Sequence, residues 1–137
     1  MISKQFLSYA ETPAFKAELM DLALVGDAVI LMDIRKVGYD RLRFYSSAVH
    51  SDFDGRYKSN ETMIKFCKQH KLFVGQVGKY IADHLEAYIG WCFVNKHNDL
   101  LRSFLDQYFL WYMTRNNDKR VSISCPLLRQ RFPLLFV

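Results

Sequence analysis

The sequence predicts an all-α domain, and three observations support this fold class. Apolar residues recur at three- and four-residue spacing along most of the chain. Several of these runs begin at a residue typical of a helix N-terminus and end near glycine or asparagine. The chain has 137 residues, half of them hydrophobic and 15% aromatic, which is enough for one hydrophobic core and too short for a second domain.

The first predicted helix is the longest. Thr12 is expected to cap it, and Pro13 occupies the first helical position, where its missing N–H costs nothing. Gly26 interrupts the run, and an interior glycine costs a helix about 0.5–1 kcal/mol relative to alanine, so close packing or a functional site is expected there. The helix is expected to end at about Ile34. Its apolar stripe comprises Phe15, Leu19, Leu22, Val25, Val29 and Met32.

Four further helices are expected, separated by turn-rich segments. Residues 51–56 contain two aspartates and a glycine and are predicted to form a loop, and residues 71–78 contain two glycines and form a connector. Asn60 and Asn98 are the expected N-caps of the helices that they begin. The predicted helices span residues 41–51, 60–70, 79–94 and 98 to about 115.

The positive charge is concentrated at the C-terminal end. Residues 1–113 carry 14 Lys and Arg against 13 Asp and Glu, whereas residues 114–137 carry five basic residues against Asp118 alone. We therefore divide the chain into a helical domain, 1–113, and a basic tail, 114–137, packed on the domain or extending from it. A polyanion such as nucleic acid is one expected partner of this tail, and an ordinary solvated segment is the alternative.

Neither a membrane span nor a signal peptide is predicted. No charge-free stretch approaches the roughly 18 apolar residues of a transmembrane helix, and residues 1–6 lack an apolar signal core. Three scattered cysteines without a CxxC spacing indicate reduced thiols, with Cys67 and Cys92 expected to be buried. We expect an intracellular protein of the cytoplasm or an organellar matrix.

Carboxylates inside apolar helices are the most informative feature of the sequence. Asp27 lies within the apolar segment 22–30, and Asp83 and Glu86 lie within the segment 80–90. Asp83 and Glu86 are three residues apart and share one helix face. Such like charges repel each other unless a cation lies between them, and hard carboxylate oxygens suit Mg²⁺. The alternative is three independent acids, each capped or paired on a solvated surface.

Two of these segments resemble motifs of the ribonuclease III family. Residues 22–29, Leu-Ala-Leu-Val-Gly-Asp-Ala-Val, resemble the family signature L-E-F-L-G-D-A-V. Residues 81–90, Ile-Ala-Asp-His-Leu-Glu-Ala-Tyr-Ile-Gly, resemble its second acidic segment, L-A-D-x-F-E-A-L-I-G. Residues 59–63 resemble the helix start V-N-x-x-L between them. The resemblance covers roughly residues 15–112 and has the motifs in the family order.

The resemblance implies an all-helical endonuclease domain that forms a homodimer and cuts double-stranded RNA with Mg²⁺, for which Mn²⁺ can substitute. Asp27, Asp83 and Glu86 match three of the four family carboxylates and are the implied metal-binding and catalytic residues. The fourth, a glutamate, is replaced here by Ala23. The short Mini-III branch also carries alanine at this position and lacks an RNA-binding domain, so the replacement is compatible with activity.

The implied reaction is phosphodiester hydrolysis with little sequence specificity, because A-form RNA is recognised mostly by its shape and 2′-hydroxyls. The bound Mg²⁺ would orient a water for in-line attack and stabilise the leaving 3′-oxygen. Leu24 occupies the position of a family phenylalanine that packs at the dimer interface. The expected RNA contacts are Lys79 and, from the basic end, Arg115, Lys119 and Arg120, with ordinary solvated side chains as the alternative for Lys79.

Two other functions remain open from the sequence. The first is a catalytically inactive ribonuclease III-like structural protein, such as a component of the mitochondrial large ribosomal subunit, with ribosomal or other RNA–protein partners. The loss of the carboxylate at Ala23 and the basic tail favour it, and the retention of three acids opposes it. The second is a helical protein-interaction domain whose motif similarity arose by chance.

Overall fold

A computed structural model describes residues 1–40 and 46–115 of the chain, with the side chains described as far as Thr114. The regular secondary structure of this part of the chain is all helix, with no β-strand, which confirms the all-α prediction. Most of the predicted tail lies outside the described residues. The six helices are α1 (Lys4–Tyr9), α2 (Pro13–Asp40), α3 (Ser47–Tyr57), α4 (Asn60–Gln69), α5 (Lys79–Val94) and α6 (Asn98–Arg115).

Helix α2 begins as predicted and ends later than predicted. The Thr12 hydroxyl accepts a hydrogen bond from the backbone N–H of Phe15 at 3.3 Å, the geometry of an N-cap. The helix continues to Asp40 because Val37 is still buried and extends the core-facing stripe by another turn. Met32, which the spacing placed in that stripe, is exposed, since the buried face follows the 3.6-residue period through Ile34.

The prediction of a loop over residues 51–56 is wrong, because these residues belong to α3. Phe53 and Tyr57 are one turn apart and both fully buried, so packing favours the helix over the turn-forming tendency of the aspartates. Asp54 is also buried, and its Oδ2 accepts a hydrogen bond from Arg35 Nε of α2 at 2.9 Å. This ion pair connects α3 to α2.

At the starts of α4 and α6, the structure differs from the prediction by one residue. Ser59, not Asn60, caps α4, since its hydroxyl accepts a hydrogen bond from the N–H of Thr62 at 3.1 Å. Asn98, the expected cap of α6, is the first residue inside that helix. Helix α5 has the predicted bounds.

A short N-terminal helix, α1, was not predicted. Its N-cap is Ser3, and its six residues are too few for a helix that is stable in isolation. Phe6 holds it against the core, with ring centroids 5.6 Å from Phe15, 5.0 Å from Tyr88 and 5.4 Å from Trp91. Tertiary packing therefore accounts for α1.

Helix α5 is the centre of the fold. Eleven of its 16 residues are buried, and α2, α4 and α6 pack around it. A helix that is apolar on nearly every side must be enclosed by other elements. The predicted burial of Cys67 and Cys92 is confirmed. Five aromatic residues of α6 also belong to the core: Phe104, Tyr108, Phe109, Trp111 and Tyr112.

None of the helices in the described ranges combines the length and the apolar character that crossing a membrane requires.

Candidate functional site

Two glycines bring the backbones of α2 and α5 into direct contact. A Cβ atom added to Gly26 would lie 1.8 Å from the carbonyl oxygen of Glu86. A Cβ atom added to Gly90 would lie 2.0 Å from the carbonyl oxygen of Leu22. No side chain fits at either position, so the close packing expected at Gly26 is present.

This crossing places the predicted acids next to one another. Asp27 follows the contacting Gly26, and Glu86 supplies the carbonyl that Gly26 touches. The carboxyl groups of Glu86 and Asp27 lie within hydrogen-bonding reach, and the charge of Asp83 also acts on Glu86. We refer to Asp27, Asp83 and Glu86 as the acidic cluster.

The acidic cluster makes ionisation of Glu86 difficult. Its pKa is raised from 4.5 to about 7, first by burial, then by the negative charge of Asp27 and by a hydrogen bond that protonated Glu86 donates to Asp27. The charge of Asp83 raises the pKa further, and the ammonium group of Lys58 lowers it. At neutral pH, Glu86 is therefore close to half protonated.

Asp83 is the most buried member of the acidic cluster. Only 4% of its surface is exposed, and it forms neither a hydrogen bond nor an ion pair with any other residue in the described ranges. Buried carboxylates are normally paired with a cation or hydrogen-bonded, because leaving water is costly for a charged group. Asp83 is thus a buried acidic residue without a hydrogen-bond or ion-pair partner among these residues.

Lys58 brings a positive charge to the acidic cluster, and the sequence analysis did not single it out. Its Nζ lies 2.8 Å from Asp27 Oδ1 and donates a hydrogen bond to it. Lys58 is the C-cap residue of α3 and lies 31 positions from Asp27 along the chain. Only the packing of α3 on α2 brings the two together, so no local spacing could have revealed the pair.

Ala23 occupies the position of the missing fourth carboxylate. It is buried and belongs to the hydrophobic core. A methyl group therefore stands where the ribonuclease III resemblance implies a glutamate, and three carboxylates remain available as ligands.

The acidic cluster has the ligand chemistry of a magnesium site, although its side chains are not arranged around a cation. Three carboxylates from two helices offer the hard oxygen atoms that Mg²⁺ prefers. Among the described residues, however, no three His, Cys, Asp or Glu side chains are grouped so as to hold a metal ion. Binding a cation would require the carboxylates to turn toward it and Lys58 to release Asp27.

The other predicted site residues are placed as follows. Lys79 is exposed at the first position of α5, one turn before Asp83. Leu24 is 72% exposed on the outer face of α2. Arg115 is the last residue of α6, and its side chain is outside the described part, as are Lys119 and Arg120.

His84, next to Asp83, faces away from Glu86 on α5. It is buried, and its Nδ1 donates a hydrogen bond to the carbonyl of Tyr80 at 2.7 Å. Its ring lies between those of Phe15 and Phe73, with centroid distances of 5.4 and 5.6 Å. These contacts place His84 on a different face of α5 from Glu86.

In comparisons with known proteins, no family model, no curated protein and no solved structure matches this chain.

Proposed function

We propose that this chain is a Mg²⁺-dependent endoribonuclease of the ribonuclease III type, which hydrolyses phosphodiester bonds in double-stranded RNA. The observation that carries the proposal is the unpartnered, buried carboxylate of Asp83 beside two further acids. The motif resemblance supports the assignment, because it selects the same three residues from the sequence alone. The proposed enzyme is a homodimer with one site per subunit.

The charges of the acidic cluster favour a divalent cation. Three carboxylates converge, and Lys58 neutralises only one of them. The pKa of Glu86 is raised to about 7, first by burial and then by the negative charge of Asp27, so its ionised form is disfavoured near neutral pH. A bound Mg²⁺ would remove this penalty and would hold Glu86 in its ionised form.

Each residue of the site has a proposed role. Asp27, Asp83 and Glu86 would hold Mg²⁺, which when bound supplies a Lewis acid and an activated water for hydrolysis. Lys58, once released from Asp27, would place its ammonium group beside the site, where it can contact the RNA phosphates. Lys79 lies on the same face of α5 and is a second candidate for phosphate contact.

Cleavage of end-labelled duplex RNA, with Mg²⁺ and with EDTA, tests the proposal. We expect metal-dependent cutting by the wild type and a loss of roughly 10²-fold or more in Glu86→Gln. Glu61→Gln is the matched control, because Glu61 is exposed in the first turn of α4. Equal cutting by wild type and Glu86→Gln would remove the acidic cluster from the mechanism.

The Lys58–Asp27 ion pair favours a second candidate, the inactive ribonuclease III-like structural protein. In that case the lysine and the proton on Glu86 offset two of the three negative charges of the acidic cluster without a metal, and buried Ala23 marks the lost ligand. Such a protein would bind RNA or protein in a larger assembly, such as the large subunit of the mitochondrial ribosome.

The variant Lys58→Gln separates the two candidates. In the nuclease, the lysine competes with Mg²⁺ for Asp27, so its removal is expected to tighten Mg²⁺ binding several-fold in isothermal titration calorimetry. In the structural protein, the same change removes the ammonium group that is paired with Asp27, lowers the free energy of unfolding and creates no Mg²⁺ site. Lys68→Gln, at an exposed position of α4, is the control.

A further inference from the structure

A cavity of about 250 Å³ lies between the start of α2 and the start of α5, and no member of the acidic cluster lines it. Phe15 and Leu19 of α2 form apolar walls, and Tyr80 and His84 of α5 lie opposite. Lys16 and Gln76 also line it, and both are exposed. The volume is slightly below the roughly 300–1,000 Å³ of pockets for drug-sized ligands, so it suits one flat ring system rather than a larger ligand.

The polar groups around this cavity have no partners within the described part of the chain. The side chains of Lys16, Gln76 and Tyr80 form no hydrogen bond or ion pair there. By contrast, polar groups elsewhere pair across elements, as Lys58 does with Asp27 and Arg35 with Asp54. A concave site that combines apolar walls with several uncommitted polar groups is the usual form of a ligand site.

His84 adds a buried hydrogen-bonding atom to the lining. Only 9% of its surface is exposed, and its Nδ1 must carry a proton because the Tyr80 carbonyl only accepts. The Nε2 atom is left as the free position of the ring, with no partner among the described residues. The contacts with Phe15 and Phe73 hold the ring in place.

We propose that this cavity binds a nucleotide, with the base inside and the phosphate at the rim. The apolar walls and the ring of Tyr80 suit the faces of a base, and Nε2 of His84 can form a hydrogen bond with a polar group on its edge. The amide of Gln76 can both donate and accept along the same edge. Lys16 supplies the positive charge that the phosphate needs, and this site is independent of the acidic cluster.

Titration with adenosine 5′-monophosphate, followed by amide chemical shifts, tests the proposal. We expect shift changes confined to residues around the cavity. Lys16→Glu should weaken binding roughly tenfold or more, the effect of losing a charged hydrogen bond and gaining repulsion. Lys4→Glu is the matched control, because Lys4 is also exposed but does not line the cavity.

Two additional variants separate specific binding from loss of structure. Tyr80→Ala removes a largely exposed ring and is expected to weaken binding of both adenosine and its monophosphate while leaving the helical signal intact. Glu86→Gln should bind the monophosphate as the wild type does, so failure of the nuclease proposal leaves this one intact. Unchanged binding in Lys16→Glu, or no shift changes at millimolar nucleotide, would overturn it.

Competition experiments distinguish two possible ligands, an unpaired nucleotide of an RNA strand and a free mononucleotide. If single-stranded oligoadenylate displaces the monophosphate and duplex RNA does not, the site takes an unpaired nucleotide of an RNA strand. If neither polymer competes, the ligand is a free mononucleotide. Both outcomes support nucleotide binding, whereas equal binding of inorganic phosphate alone would contradict the role of the cavity.

Discussion

At the scale of single residues, the three acids of the acidic cluster differ in how their negative charge is compensated. Asp83 is buried without a partner, Asp27 is paired with Lys58, and Glu86 lies next to both acids with its pKa raised to about 7. The proton on Glu86 and the ammonium group of Lys58 therefore each offset part of the negative charge of the acidic cluster. A divalent cation would compete with both.

The raised pKa of Glu86 predicts that ionising it destabilises the fold. Below pH 4.5 Glu86 is protonated in both states, and between pH 4.5 and about 7 only the folded state keeps the proton, so stability falls as the pH rises. Glu86→Gln cannot ionise and should be more stable than the wild type above pH 7. Because the site is partly exposed, we expect a gain of only about 1 kcal/mol.

Urea denaturation of both proteins at pH 5 and pH 8 checks this expectation, since titrations elsewhere in the chain cancel in the comparison. Glu61→Gln should follow the wild type at both pH values. A difference between Glu86→Gln and the wild type that is the same at pH 5 and pH 8 would show that the environment of Glu86 is not as described.

At the scale of elements, the crossing of α2 and α5 places the site. Gly26 and Gly90 allow the two helices to touch at the backbone, and this contact sets Asp27 beside Glu86. The glycines are costly to each helix alone, so the tertiary contact must offset their low helix propensity.

Gly26→Ala should therefore destabilise the protein strongly, by about 3 kcal/mol or more, because its methyl group would overlap the Glu86 carbonyl. Gly55→Ala is the matched control, since Gly55 lies in α3 with no atom within 4 Å of an added Cβ. There the change should stabilise the helix by about 0.5–1 kcal/mol. Thermal unfolding followed by circular dichroism measures both, and similar melting temperatures for the two variants would contradict the tight crossing.

The local sequence was sufficient to predict some of the helices and not others. The bounds of α5 were predictable because an apolar run lies between a glycine-rich connector and an asparagine. Helix α3 was missed over residues 51–56 because the burial of Asp54 depends on Arg35, which is distant in the sequence. Helix α1 was missed because it is too short to show a period and is held by Phe6.

The candidate site could likewise be predicted from the sequence only in part. The three acids could be selected from motif text and helix spacing, since Asp83 and Glu86 share one helix face. The partnership of Lys58 with Asp27 could not, because it joins two helices through the fold. The cavity between α2 and α5 was missed for the same reason, since its lining comes from distant parts of the chain.

At the scale of the whole molecule, the outer face of α2 carries exposed apolar side chains at four- and eight-residue spacing: Met20, Leu24 and Met32. Scattered exposed apolar residues are ordinary, whereas a row along one helix is typical of an interface. This row supports the proposed homodimer, in which Leu24 would be covered by the second subunit.

We expect Leu24→Lys to convert a dimer into a monomer without lowering the stability of the fold, because Leu24 makes up no part of the core. Sedimentation velocity at several protein concentrations measures the change. Val74→Lys, at another strongly exposed apolar residue, is the control and should leave the dimer intact. A wild type that sediments as a monomer at all concentrations would rule out this dimer.

The most direct test of the account is whether the acidic cluster binds a divalent cation. Titration with Mn²⁺, followed by electron paramagnetic resonance, counts bound ions without depending on RNA cleavage. We predict one Mn²⁺ site per chain, competed by Mg²⁺ and lost in Asp83→Asn, but retained in Asp99→Asn at the exposed start of α6. Equal Mn²⁺ binding by Asp83→Asn and the wild type, or no bound Mn²⁺ even in Lys58→Gln, would contradict the proposed site.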